Sequence, residues 1–151
     1  MTNFSASFKK GLEAAQIAEK NHNEIDEVFK SLNDQLARES DGRIAIEIRQ
    51  IQGTGSKGPL IDFFKPLFTH EAIVAFNPKN PQRREEELAL WSQDRGGYPC
   101  RINFGLKQTS YEDKGALEAG LAEMLEDPIV GEAFYRLMQH DDCLLDRVEQ
   151  V

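Results

Sequence analysis

Arg43-Ile44-Ala45-Ile46-Glu47-Ile48-Arg49-Gln50-Ile51 decides the fold class. Ile44, Ile46 and Ile48 fall on alternate positions, with Arg43, Glu47 and Arg49 between them, and successive side chains of a strand point to opposite faces. The stretch therefore predicts a half-buried strand, apolar on one side and charged on the other.

Upstream of it, residues 5–39 contain no proline. Phe8, Leu12 and Ala15, then Ile25, Phe29, Leu32 and Leu36, recur at helical spacing. A long helix is expected, either continuous or divided in two at the polar run Glu19-Lys20-Asn21-His22-Asn23-Glu24. Ser40-Asp41-Gly42 closes it, since glycine enters the left-handed region without a steric penalty. Such a helix can lay its stripe on the sheet or on a second copy of the chain.

Downstream, Gly53-Thr54-Gly55-Ser56-Lys57-Gly58-Pro59 reads as a loop, followed by the aromatic patch Phe63, Phe64 and Phe68. A strand over 72–76 ends at Asn77-Pro78-Lys79-Asn80-Pro81. Residues 87–91 and 98–104 flank Asp94-Arg95-Gly96-Gly97 as two arms of a hairpin. On the second arm Tyr98, Cys100, Ile102 and Phe104 share a face opposite Arg101 and Asn103. Pro99 cannot donate to a ladder, which places this arm at a sheet edge.

The last third is helical, with stripes Leu117, Leu121, Met124, Leu125 and then Val130, Phe134, Leu137, Met138. Asp127 caps the second of these helices and Pro128 takes its first position. The expected fold is thus one α+β domain over residues 1–151: an antiparallel sheet of about four strands, a long N-terminal helix and two C-terminal helices.

The chain has 151 residues and a net charge of −8, and that charge is unevenly placed. Residues 112–149 hold eleven acidic side chains against Lys114, Arg136 and Arg147, a net −8, so the rest balances to zero. An acidic surface of this kind disfavours direct contact with a nucleic-acid backbone and suits a basic protein partner. No apolar run is long enough for a membrane span. The absence of a secretory signal pattern and the presence of only Cys100 and Cys143 lead to the expectation of a cytoplasmic protein with free thiols.

No catalytic constellation stands out. The 53–58 loop lacks the Gly-x-x-x-x-Gly-Lys-Ser/Thr spacing that cradles phosphate, since Lys57 precedes a glycine and Pro59 follows. His22, His70 and His140 form no metal-ligand spacing with the cysteines. His140-Asp141-Asp142-Cys143 is dense, but successive helical residues diverge by about 100° and do not converge on one ion. Cys100 lies on an apolar strand face, where a small buried hydrophobe is the simpler reading than a nucleophile. In Glu47-Ile48-Arg49 an arginine stands where a nuclease would carry lysine, and it is too basic to serve as that lysine does.

Two functional readings remain. The first is a protein-binding module, of inhibitor, immunity or accessory type, docking a basic partner through Glu118, Glu123 and Glu126, with Phe63, Phe64 and Phe68 as a further contact patch. The second is a small enzyme acting on a phosphorylated ligand, with Arg49, Lys57 and Arg101 as anion contacts and Glu47 as acid or base. Neither implies a cofactor or a metal.

Overall fold

The computed structural model describes residues 1–52 and 69–149 and, within them, the side chains up to residue 139 apart from those of Gln52 and Thr69. The order of elements is α1 (Phe4–Ser40), β1 (Ala45–Gln52), β2 (Thr69–Phe76), β3 (Glu85–Gln93), β4 (Cys100–Phe104), β5 (Lys107–Tyr111), α2 (Lys114–Glu126) and α3 (Pro128–Glu149). The fold is α+β, and the strands form one antiparallel meander in sequence order.

The strand count is five, against about four expected. Lys107-Gln108-Thr109-Ser110-Tyr111 has too few apolar residues to announce itself, and it pairs with β4 as the outer strand. This overturns the edge position that Pro99 implied: β4 runs between β3 and β5. Pro99 precedes the strand, after a cis Tyr98–Pro99 bond in the turn, so its missing donor costs the ladder nothing.

One face of the sheet is apolar across the whole meander. Ile46 lies opposite Ala75 and Ile48 opposite Ile73; Ile73 lies opposite Ala89, Trp91 opposite Ile102, and Cys100 opposite Tyr111. Ile25, Val28 and Phe29 of α1, Leu117, Leu121 and Met124 of α2, and Val130, Ala133 and Leu137 of α3 join these residues in one apolar cluster. The expected strand faces hold, with Ile46 and Ile102 buried and Cys100 free of solvent. A bulge at Ile73/Val74 fits an extra residue, Leu88, between Glu87 and Ala89.

Polar side chains seal the joints. The amide of Asn33 on α1 both donates to Ile46 O (2.8 Å) and accepts from Ile46 N (2.7 Å), taking the place of a neighbouring strand on the open edge of β1. Asp41 and Gly42, at φ 55° and 75°, close α1 in left-handed conformations, and Gly42 N–H donates to Ala37 O at 2.8 Å. Asp113 caps α2 through Ala116 N. Asp127 accepts from Ile129 N at 2.8 Å, beside Pro128 at the first position of α3, as the sequence implies.

The polar middle of α1 does not break the helix, which runs through 37 residues. Instead it grips the β3–β4 turn. Asn21 Nδ2 donates to Gly96 O at 2.9 Å, His22 Nε2 contacts Arg95 O at 2.9 Å, and Tyr98 OH donates to Glu24 Oε2 at 3.1 Å. Glycine is required at the contact: a Cβ on Gly97, at φ +93°, would lie 2.7 Å from Asn21 Cβ.

Candidate functional site

Glu47 and Arg49 share the face of the sheet opposite the core, as two residues of like parity on β1 must. They are committed to one another: Arg49 Nη2 lies 2.6 Å from Glu47 Oε1. Arg49 also pairs with Glu85, and Arg83 reaches Glu47 at 2.6 Å and Glu85 at 3.5 Å. The four side chains form a closed ring of two cations and two carboxylates. Arg83 further stacks over the Phe76 ring, 4.2 Å from its centroid. A ring without net charge has little field left for an incoming phosphate. Arg101 is likewise paired, with Asp94 at 3.1 Å, and the structure does not bring it into the Glu47–Arg49 ring. Lys57 lies outside the described residues.

The acidic surface of α2 is arranged differently. Leu117, Leu121 and Met124 hold one side of the helix in the core, which turns Glu118, Glu123 and Glu126 to solvent. Glu123 pairs with Lys107 of β5 at 2.7 Å, and this contact raises the Lys107 pKa, first through the hydrogen bond and then through the charge of the carboxylate. Among the described residues Glu118 and Glu126 have no ion-pair partner. At 100° per residue the three carboxylates spread over a broad arc with Glu126 opposite the core and the other two on its flanks. Phe63, Phe64 and Phe68, the other expected contact patch, lie outside the described residues.

Cys100 is fully buried, and removal from water pushes its thiol up to about 11, which keeps it protonated and unreactive at neutral pH. Tyr98 is also shifted upward, by burial first and by its hydrogen bond to Glu24 second. Among the described residues no group of three His, Cys, Asp or Glu side chains is placed to hold a metal ion, and no helix is long and apolar enough to cross a membrane. The side chains of His140, Asp141, Asp142 and Cys143 lie outside the described set.

A cavity of about 130 Å³ lies between α2 and the β4–β5 hairpin, lined by Ile102, Phe104, Thr109, Tyr111, Gly120 and Met124 among others. Ligand pockets start at roughly 300 Å³, so this space suits a few waters.

Sequence reasoning missed the contact of Asn21, His22 and Glu24 with the hairpin turn. Its signal was visible as a polar run at the middle of an otherwise apolar helical stripe. Compared with models of protein families, with curated proteins and with solved structures, the chain matches none.

Proposed function

We propose that the protein is a binding module that docks a basic protein partner through the carboxylates of α2. The observation that carries this reading is the pair Glu118 and Glu126, exposed on a helix anchored by Leu117, Leu121 and Met124 and without an ion-pair partner among the described residues. Fixed, unpaired charge on a rigid element steers association and sets orientation. The sheet face offers the contrary case, because Glu47, Glu85, Arg49 and Arg83 neutralise one another there. That contrast supports protein docking over an enzyme for a phosphorylated ligand. An inhibitor, immunity or accessory role in the cytoplasm is consistent with such a surface.

The test is capture from lysate by immobilised wild-type protein and by the Glu118→Lys/Glu123→Lys/Glu126→Lys variant, at low and high salt. A basic protein retained at low salt by the wild type alone, and released by salt, supports the reading. Equal capture by both proteins overturns it.

A further inference from the structure

We infer that the first half of α1 is a homodimerisation arm, pairing antiparallel with the same segment of a second copy. Every residue from 1 to 17 is exposed, including Phe4 at 77 %, Phe8 at 68 % and Leu12 at 50 %. Of the two expected resting places for the helix stripe, the sheet therefore does not receive Phe8, Leu12 and Ala15. From Phe4 to Lys20 the helix runs about 25 Å at 1.5 Å per residue. A helix segment of this length in water draws its stability mainly from packing of an apolar face.

The apolar pattern specifies what packs there. Phe8, Ala15, His22, Phe29 and Leu36 repeat every seven residues, and Phe4, Gly11, Ala18, Ile25 and Leu32 repeat in step with them. Together they form a single seam with alternating spacings of four and three, the signature of paired helices. In its second half this seam is the face that Ile25, Phe29, Leu32 and Leu36 press into the protein's own core. In its first half the same seam continues without a partner among the described residues. A straight helix drifts about 20° per heptad against a seven-residue repeat, so the seam turns by roughly 60° between Phe29 and Phe8. The rotated seam stays exposed over residues 4–17.

A second copy is the occupant that the side-chain sizes fit. The large residues Phe4 and Phe8 stand in the first two turns and the small residues Gly11, Ala15 and Ala18 in the next two. Antiparallel alignment sets Phe8 of each copy into the gap at Gly11 of the other, and Phe4 against Ala15. Parallel alignment stacks phenylalanine on phenylalanine and glycine on glycine, leaving clashes and holes. Nothing obstructs Gly11, since a Cβ there meets no atom within 4 Å. The flanking positions Ser5, Ser7, Leu12 and Ala14 carry no charge, while Lys9, Lys10, Glu13 and Lys20 lie on the side away from the seam. The helical overlap runs from Phe4 to Ala15 and ends before Asn21 and His22 engage the protein's own hairpin turn. Ile17 falls outside the seam, as single exposed apolar residues often do.

Two phenylalanines and Leu12 from each copy bury on the order of 1,000 Å² in total, near the lower bound of specific interfaces. Association is therefore expected to be weak and concentration-dependent, as for other contacts at the small end of the size range.

Sedimentation equilibrium of the intact chain from low micromolar to ~1 mM, a span that covers weak association, tests the arm. The wild type should pass from 17.1 kDa to twice that mass as concentration rises. Phe8→Asp should remain monomeric, and Gly11→Phe, which fills the gap, should do the same although it adds apolar surface. Phe8→Ala/Gly11→Phe exchanges knob and hole and should dimerise again. Positions 8 and 11 lie outside the core, so unchanged circular dichroism melting will show that each variant folds. A wild type that stays monomeric throughout, a Gly11→Phe protein that still dimerises, or a double variant without rescue each overturns the antiparallel pairing.

Discussion

Phe29 of α1 and Trp91 of β3 meet edge to face, with ring centroids 5.4 Å apart and ring planes at 87°. The positive edge of one ring against the negative face of the other makes this geometry better than a stacked sandwich. The indole N–H is satisfied as well, donating to Gln93 Oε1 at 3.2 Å. Gln93 Nε2 in turn meets His22 Nδ1 at 2.9 Å. The aromatic pair and this polar chain fix where the long helix sits on the sheet.

Truncating either ring should therefore loosen that junction. Phe29→Ala and Trp91→Ala are each expected to cost about 3–5 kcal/mol of stability, the usual range for a large aromatic removed from a core. In a double-mutant cycle followed by urea unfolding, the pair should show a coupling of about 0.5–1.5 kcal/mol beyond burial. Additive losses would mean the edge-to-face contact contributes nothing specific.

Aspartate at Ile46 or Ile102 should prevent folding. Both residues are buried in the apolar sheet face, at 2 % and 3 % exposure, and an unpaired charge there costs several kcal/mol. Cooperative melting of either soluble variant would contradict the assignment of that face.

Strand parity made the inner face legible in the sequence, because Ile46 and Ile48 on β1, with Ile44 just before it, and Cys100, Ile102 and Phe104 on β4 fall on alternate positions. β5 was not legible, since an outer strand with Thr109 and Tyr111 on its inward side needs little apolar content. The continuity of α1 through residues 19–24 was hidden for a different reason. Helical periodicity reports burial against apolar surface, and here the helix packs on backbone carbonyls of a turn, which call for Asn21 and His22. The acidic character of α2 was readable from composition. Which carboxylates remain unpaired was not, because Lys107 lies 16 residues before Glu123.

The turn contact can be tested at glycine. Gly97→Ala combines a positive φ with a Cβ only 2.7 Å from Asn21 Cβ, whereas Gly105→Ala, at φ +61°, meets nothing within 4 Å. The second substitution should cost about 1 kcal/mol from backbone strain alone. The first should cost about 2–4 kcal/mol, the excess being overpacking against α1. Urea midpoints of the two variants give the difference directly, and equal losses would mean that α1 does not press on the turn.

Alkaline pH should destabilise the protein through Cys100. Burial holds its thiol at about 11 against an ordinary value of 9.0, so between these values the unfolded chain releases a proton that the folded chain retains. The folded pKa is raised; its stabilising contribution is thus complete below pH 9 and is lost as pH climbs toward 11. Tyr98, also shifted upward, adds a loss in the same direction above pH 10. Cys100→Ala should flatten the decline between pH 9 and 11 in urea melts, while the Tyr98 portion persists. An identical slope in the variant would show that the thiol ionises as readily folded as unfolded.

Reversing the charges of α2 separates docking from folding. Glu118, Glu123 and Glu126 are exposed, and lysine matches glutamate in helix propensity, so the triple lysine variant should retain its fold. Among the described residues only the Glu123–Lys107 pair is lost, and an exposed pair of this kind contributes about 1 kcal/mol or less. Association should respond far more strongly. If these carboxylates steer a basic partner, the on-rate of the variant should fall well below wild type at low ionic strength. The two rates should converge as added salt shortens the screening length to below ~10 Å. Stopped-flow association with the captured partner across a salt series measures this, and equal rates at low salt would return Glu118 and Glu126 to ordinary solvated surface.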